Sequence, residues 1–115
     1  MSQAQAIQQK QNTAPERKHS LQMRAVLHVL KADPFLYERV SPFINFDTET
    51  IYWNEIFRMG FGSGHRGAIT WCYGIWVDEP KPRSNCFDAA LSMDPKFQTA
   101  VLEALAMRWG LAPKA

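Results

Sequence analysis

The segment from Asp94 to Gly110 constrains this chain most, because both ends of a helix are written into it. Asp94 suits the N-cap, Pro95 the first helical position, and Gly110 the left-handed stop. Between them Phe97, Val101, Ala104, Leu105 and Trp109 line one face, and none of these side chains carries chemistry. With the residues before it, the run Phe87 to Leu111 reads as one capped amphipathic helix. A chain marked in this way is built to pack or to dock.

The same punctuation recurs upstream. Ser20 caps a helix running to about Ala32, with Leu21, Arg24 or Ala25, His28 and Val29 near one stripe and Val26, Leu27 and Leu30 beside it. Asp33-Pro34 repeats the cap-and-proline start and predicts a short helix over Phe35 to Val40, closed by Ser41-Pro42. Asp47 predicts a third helix over Thr48 to Met59, with Ile51, Tyr52, Glu55, Ile56 and Met59 at helical spacing and Gly60 as its stop. Ala68 to Val77 fits helix and strand alike. Helix is preferred, since no second strand is visible to satisfy a lone strand's backbone. Glu79 to Arg83, with two prolines, reads as an exposed connector. The expected fold is therefore all-α, a compact bundle of four or five short helices with a polar N-terminal tail. Residues 1–18, with five glutamines, form the tail, and 19–115 form one helical domain with Ala68 to Val77 as its central element.

Length and composition agree with that expectation. A chain of 115 residues can build a single core without staples. Four tryptophans, seven phenylalanines, three tyrosines and five methionines supply the apolar bulk that a disordered chain lacks. The N-terminus has no basic-led apolar leader, and no apolar run approaches the roughly 18 residues of a membrane span, so a soluble cytoplasmic protein without membrane contact is expected. Cys72 and Cys86 are too far apart for a redox or zinc pair and read as core thiols. Charge is uneven. Residues 1–32 carry Lys10, Arg17, Lys18, Arg24 and Lys31 against Glu16 alone, whereas 33–115 hold eight basic and ten acidic residues. A basic leading segment on a mildly acidic body points to an anionic partner or to attraction within the chain.

Candidate chemistry is thin. Gly60 to Gly67 is the one glycine-dense stretch, and its amides with His65 and Arg66 can be imagined around an anion. It follows a helix and lacks a Walker lysine, so a nucleotide fold is rejected and a helix connector, with glycines supplying positive φ, is the expectation. Cys72, His65 and Asp88 are the parts of a Cys-His-Asp set, but Cys72 lies between Trp71 and Tyr73 in the most apolar stretch, where a thiolate is disfavoured. The same cysteines and His65 have no close-pair spacing, so neither a metal nor a cofactor is called for. Glu49 with Glu55, and Asp78 with Glu79, are explained as solvated carboxylates. No catalytic residue is assigned, and no enzyme is expected.

Trp53, Asn54 and Arg58 read as the polar side of the third helix, and a tryptophan on a wet face marks an interface. Trp53, Arg58, His65 and Arg66 are therefore the candidate partner-binding residues. Lys10, Arg17, Lys18 and Arg24 are the candidates for nucleic-acid phosphates, the alternative reading. Self-association is compatible with a small domain holding four tryptophans.

The run from Ala68 to Leu105 has an apolar tryptophan-rich helix, a polar loop, then Phe87-Asp88, Leu91, Asp94 and a final helix. It resembles a pattern in small uncharacterised proteins carried on plasmids and integrative elements of Gram-negative bacteria. The resemblance covers about a third of the chain. It implies an accessory role on a mobile element, with no activity or site residues to carry over. The resulting expectation is a non-enzymatic interaction module of a phage or mobile element. It would act by occupying a protein partner such as a host defence complex, in the manner of an anti-CRISPR inhibitor.

Overall fold

The computed structural model describes residues 19–111. Among them six α-helices run in the order α1 (Leu21–Leu30), α2 (Pro34–Val40), α3 (Trp53–Arg58), α4 (Ser63–Val77), α5 (Cys86–Leu91) and α6 (Pro95–Arg108). A 3-10 turn (Ser41–Phe43) and two short strands, β1 (Ile44–Asn45) and β2 (Thr50–Ile51), lie between α2 and α3. The fold is all-α. The polar tail at 1–18 lies outside the described residues.

Helices α1, α4 and α6 form the core, and α1 packs against both of the others. The Ser20 hydroxyl accepts from the Met23 amide at 3.1 Å, so α1 starts where its cap dictates. Its buried side chains are Met23, Ala25, Val26, Leu27, Val29 and Leu30. The expected stripe is thus rotated: Leu21 is 43% exposed and Arg24 faces solvent. Asp33 caps α2 through the Phe35 amide, with Pro34 in the first turn. α4 touches α1, α3, α5 and α6, which makes the tryptophan-rich segment the hub of the bundle. The hub buries small and aliphatic side chains, Ala68, Ile69, Cys72 and Ile75, while Trp71 and Trp76 are only partly covered.

Three expectations are corrected. The third helix does not begin at Thr48. Asn45 accepts from the amides of Asp47 (3.0 Å) and Thr48 (3.1 Å), which turns the chain back so that Ile44 pairs with Ile51 and both bury their side chains. Asp47 sits in that turn and caps nothing. Tyr52 N–H then bonds the Phe43 carbonyl, and α3 starts only at Trp53. Second, Phe87 to Leu111 holds two helices, because Asn85 caps a separate α5 and the chain turns at Ser92 to Asp94. Pro95 and the left-handed Gly110 (φ 73°) bound α6 as expected, but Trp109 lies at its C-cap and is 59% exposed rather than on the buried face.

Third, the glycine stretch is mostly helix. α4 starts at Ser63, and Gly110 is the one described glycine with positive φ. A β-carbon on Gly64 would lie 3.1 Å from the Ser92 carbonyl oxygen, and one on Gly67 would lie 2.6 Å from the Ala89 carbonyl oxygen and 2.9 Å from Met93 Cγ. These glycines admit a neighbouring backbone. The connector after α4 uses left-handed Asp78 (φ 62°) and Arg83 (φ 63°) to turn, and Glu79 and Pro80 are exposed within it.

Candidate interaction surfaces

The close approach at Gly64 and Gly67 places α5 antiparallel along α4. Trp71 Nε1 donates to the Cys86 carbonyl at 2.8 Å, Gly67 faces Ala89, and Gly64 faces Ser92. From α6, Gln98 Nε2 donates to the Ala90 carbonyl at 2.8 Å. Backbone contacts thus hold α5 on both neighbours; none of its side chains is fully buried, and Ala90 packs half-buried against the core. Phe87 and Leu91, one helical turn apart, are 77% and 81% exposed, with the Phe87 ring edge-on to Trp71 at 6.0 Å. Leu102, one turn beyond Gln98 on α6, is 70% exposed. Sequence reading missed the ridge because it fused α5 with α6. The available signal was the pair of small residues Ala89-Ala90 between two large apolar ones, a close-packing face backed by a displayed one.

The sequence-predicted partner residues come together only in part. Arg58 and Arg66 lie at the corner between α3 and α4, both exposed. Arg66 Nη1 reaches the Phe57 carbonyl at 3.4 Å, and Arg58 stands 3.8 Å from Glu55. Trp53 turns away from solvent instead of marking a wet face. Its ring packs edge-on to Tyr73 at 5.4 Å and near Phe57 at 6.2 Å, and its Nε1 is buried without an acceptor. His65 also points inward. Its Nε2 lies 2.8 Å from Asp33 Oδ2, and its ring meets Phe97 edge-on at 5.7 Å, so it ties the first turn of α4 to the cap of α2. Of the phosphate candidates, Arg24 is exposed on α1. Lys10, Arg17 and Lys18 lie outside the described residues.

The parts of the Cys-His-Asp set are dispersed. Cys72 is buried, with its Sγ 3.9 Å from the Val26 carbonyl, and burial pushes its thiol far above the usual range. His65 is committed to Asp33, and Asp88 faces solvent on α5. Cys86 is a half-buried free thiol rather than a core one. Glu49 and Glu55 are likewise apart, since Glu49 is bound to the start of α1. It accepts from the Ser20 amide (2.9 Å) and hydroxyl (2.7 Å) and lies 3.3 Å from His19 Nδ1. Burial raises the Glu49 carboxyl, but the Ser20 and His19 contacts outweigh it and leave the group below the usual carboxylate range. Among the described residues no three His, Cys, Asp or Glu side chains are grouped to hold a metal, and no helix is long and apolar enough to cross a membrane.

No known protein family, curated protein or solved structure matches this chain.

Proposed function

We propose that this protein is a non-enzymatic interaction module that docks on a protein partner through the α5 ridge of Phe87 and Leu91. One observation carries the reading: α5 buries no side chain fully, yet its backbone carbonyls are bonded by both α4 and α6 while two large apolar groups project into solvent. Exposed ring and aliphatic surface gains nothing for the monomer. Held rigidly, it loses little entropy on binding and acts as a paired anchor at helical spacing. Asp88, exposed beside the anchors, calls for a donor at the rim of an apolar groove on the partner. The resemblance to mobile-element proteins makes a host defence complex the partner class to present first.

The test is capture by the tagged full chain from lysate of its own host, with nuclease treatment and at two salt concentrations. The Phe87→Ala and Leu91→Ala variants run beside it. A stoichiometric protein that survives nuclease and high salt and is lost with both variants, their circular dichroism unchanged, supports the reading. Capture that ignores both substitutions sinks it. Charge reversal at Arg58 and Arg66 in the same assay asks whether the α3–α4 corner shares the interface.

A further inference from the structure

We propose that the edge formed by α2, the α3–α4 turn and the start of the connector after α4 binds single-stranded nucleic acid, through Arg39, Arg66 and Lys81 seated on phenylalanine rings. Arg39 Cζ lies 4.5 Å from the centre of the Phe61 ring and 5.8 Å from that of Phe35. The Phe57 ring is approached by Lys81 Nζ at 4.6 Å and by Arg66 Cζ at 5.9 Å. Among the described residues none of these three cations is within salt-bridge distance of a carboxylate. Three acidic side chains are instead paired with histidines, Glu49 with His19, Glu103 with His28 and Asp33 with His65, while Glu55 faces Arg58 and Asp33 also faces Lys96.

The difference matters electrostatically. A carboxylate cancels the charge it orients, whereas a neutral ring orients a cation and leaves its charge whole. Arg39 and Arg66 are also aimed by the backbone. Arg39 Nη1 reaches the Gly60 carbonyl at 3.5 Å and Arg66 Nη1 the Phe57 carbonyl at 3.4 Å. Those carbonyls are three residues apart in one turn, so the two guanidinium groups stand within roughly 18 Å of each other, about the reach of a few phosphates along a strand. Each retains further N–H donors for a phosphate. Phe35, 55% exposed beside Arg39, offers a face on which a base can stack. Positioned cations beside an accessible ring are a combination that single strands use. The exposed ring is what favours a nucleic acid over a run of acidic residues, whose side chains carry no ring to lay on it.

The experiment measures fluorescence anisotropy of a labelled oligothymidine of about 20 nucleotides titrated with the full chain at 0.1 and 0.3 M NaCl. A short polyglutamate serves as competitor, and backbone amide shifts of the wild-type protein are mapped in parallel. Three phosphate contacts at a slope of about −0.7 each predict roughly tenfold weaker binding at the higher salt. Arg39→Glu with Arg66→Glu should weaken binding at least tenfold, Arg24→Glu less than twofold, and the shifted amides should centre on Phe57 to Arg66. The map holds even where a variant folds poorly. No binding at the lower salt, shifts centred elsewhere, an equal loss with Arg24→Glu, or displacement of the oligonucleotide by an equal charge of polyglutamate would each overturn the proposal.

Discussion

Gly67 and the Ala89 carbonyl meet at a distance that leaves no room for a side chain: a β-carbon would sit 2.6 Å from that oxygen. Alanine is ordinarily the better helix former by up to about 1 kcal/mol. Here backbone must move to admit it, and Gly67→Ala should destabilise the fold by about 1–3 kcal/mol. Gly60→Ala, with open space around it, should stay within about 0.5 kcal/mol of wild type. Thermal melts of the two variants decide the point. Equal midpoints would mean that α5 does not rest on α4 as described.

Trp71→Phe should loosen α5 while leaving the core intact. The substitution removes the 2.8 Å bond to the Cys86 carbonyl and alters the edge contact with Phe87, a loss of about 1 kcal/mol. Amide hydrogen exchange should quicken in Cys86 to Leu91 and not in α1. Uniform quickening would contradict the local role.

These two cases show why the sequence was only partly legible. Caps and prolines are local devices, so Ser20, Asp33-Pro34, Pro95 and Gly110 mark their elements from the chain alone. Gly64 and Gly67 answer to a backbone about 25 residues downstream, and no periodicity reveals that. The β1–β2 hairpin escaped for a related reason. Ile51 and Ile56 fit a helical stripe, yet Asn45 turns the chain and Ile51 is buried from a two-residue strand. Trp53 was misplaced because the helix that would have turned it outward begins five residues later than its capping signal suggests. Of the candidate sites, the corner with Arg58 and Arg66 was visible as exposed charge. The α5 ridge was not, since its exposure depends on that same distant contact.

Glu49 should give the fold an acid-sensitive element. Its folded carboxyl lies below the usual range, so the unfolded chain takes up that proton first as pH falls. The stabilisation is complete above the ordinary carboxylate range and is lost as pH drops through the folded value. Glu49→Gln should therefore cost about 1 kcal/mol near neutral pH, and the difference from wild type should shrink in acid. Melts between about pH 3 and pH 7 test the sign. A gap that widens in acid would reject it.

The two thiols should react in sequence. Native protein treated with a small alkylating reagent should be modified at Cys86, which is half-buried, while Cys72 stays intact beneath α1 until the chain unfolds. Burial holds Cys72 as the thiol, so raising the pH to about 9 should not expose it to the reagent. Peptide mapping by mass spectrometry reads both sites, and early labelling of Cys72 would show that the core opens there.

The seating of Arg39, Arg66 and Lys81 on rings also separates two properties that usually change together. With Arg39, Arg66 and Lys81 resting on neutral partners, added electrolyte has few of their contacts to screen, and their seating on the fold should change little across a salt series. Association with any polyanion at those same side chains should respond steeply. At those three side chains ionic strength thus acts on association rather than on their place in the fold.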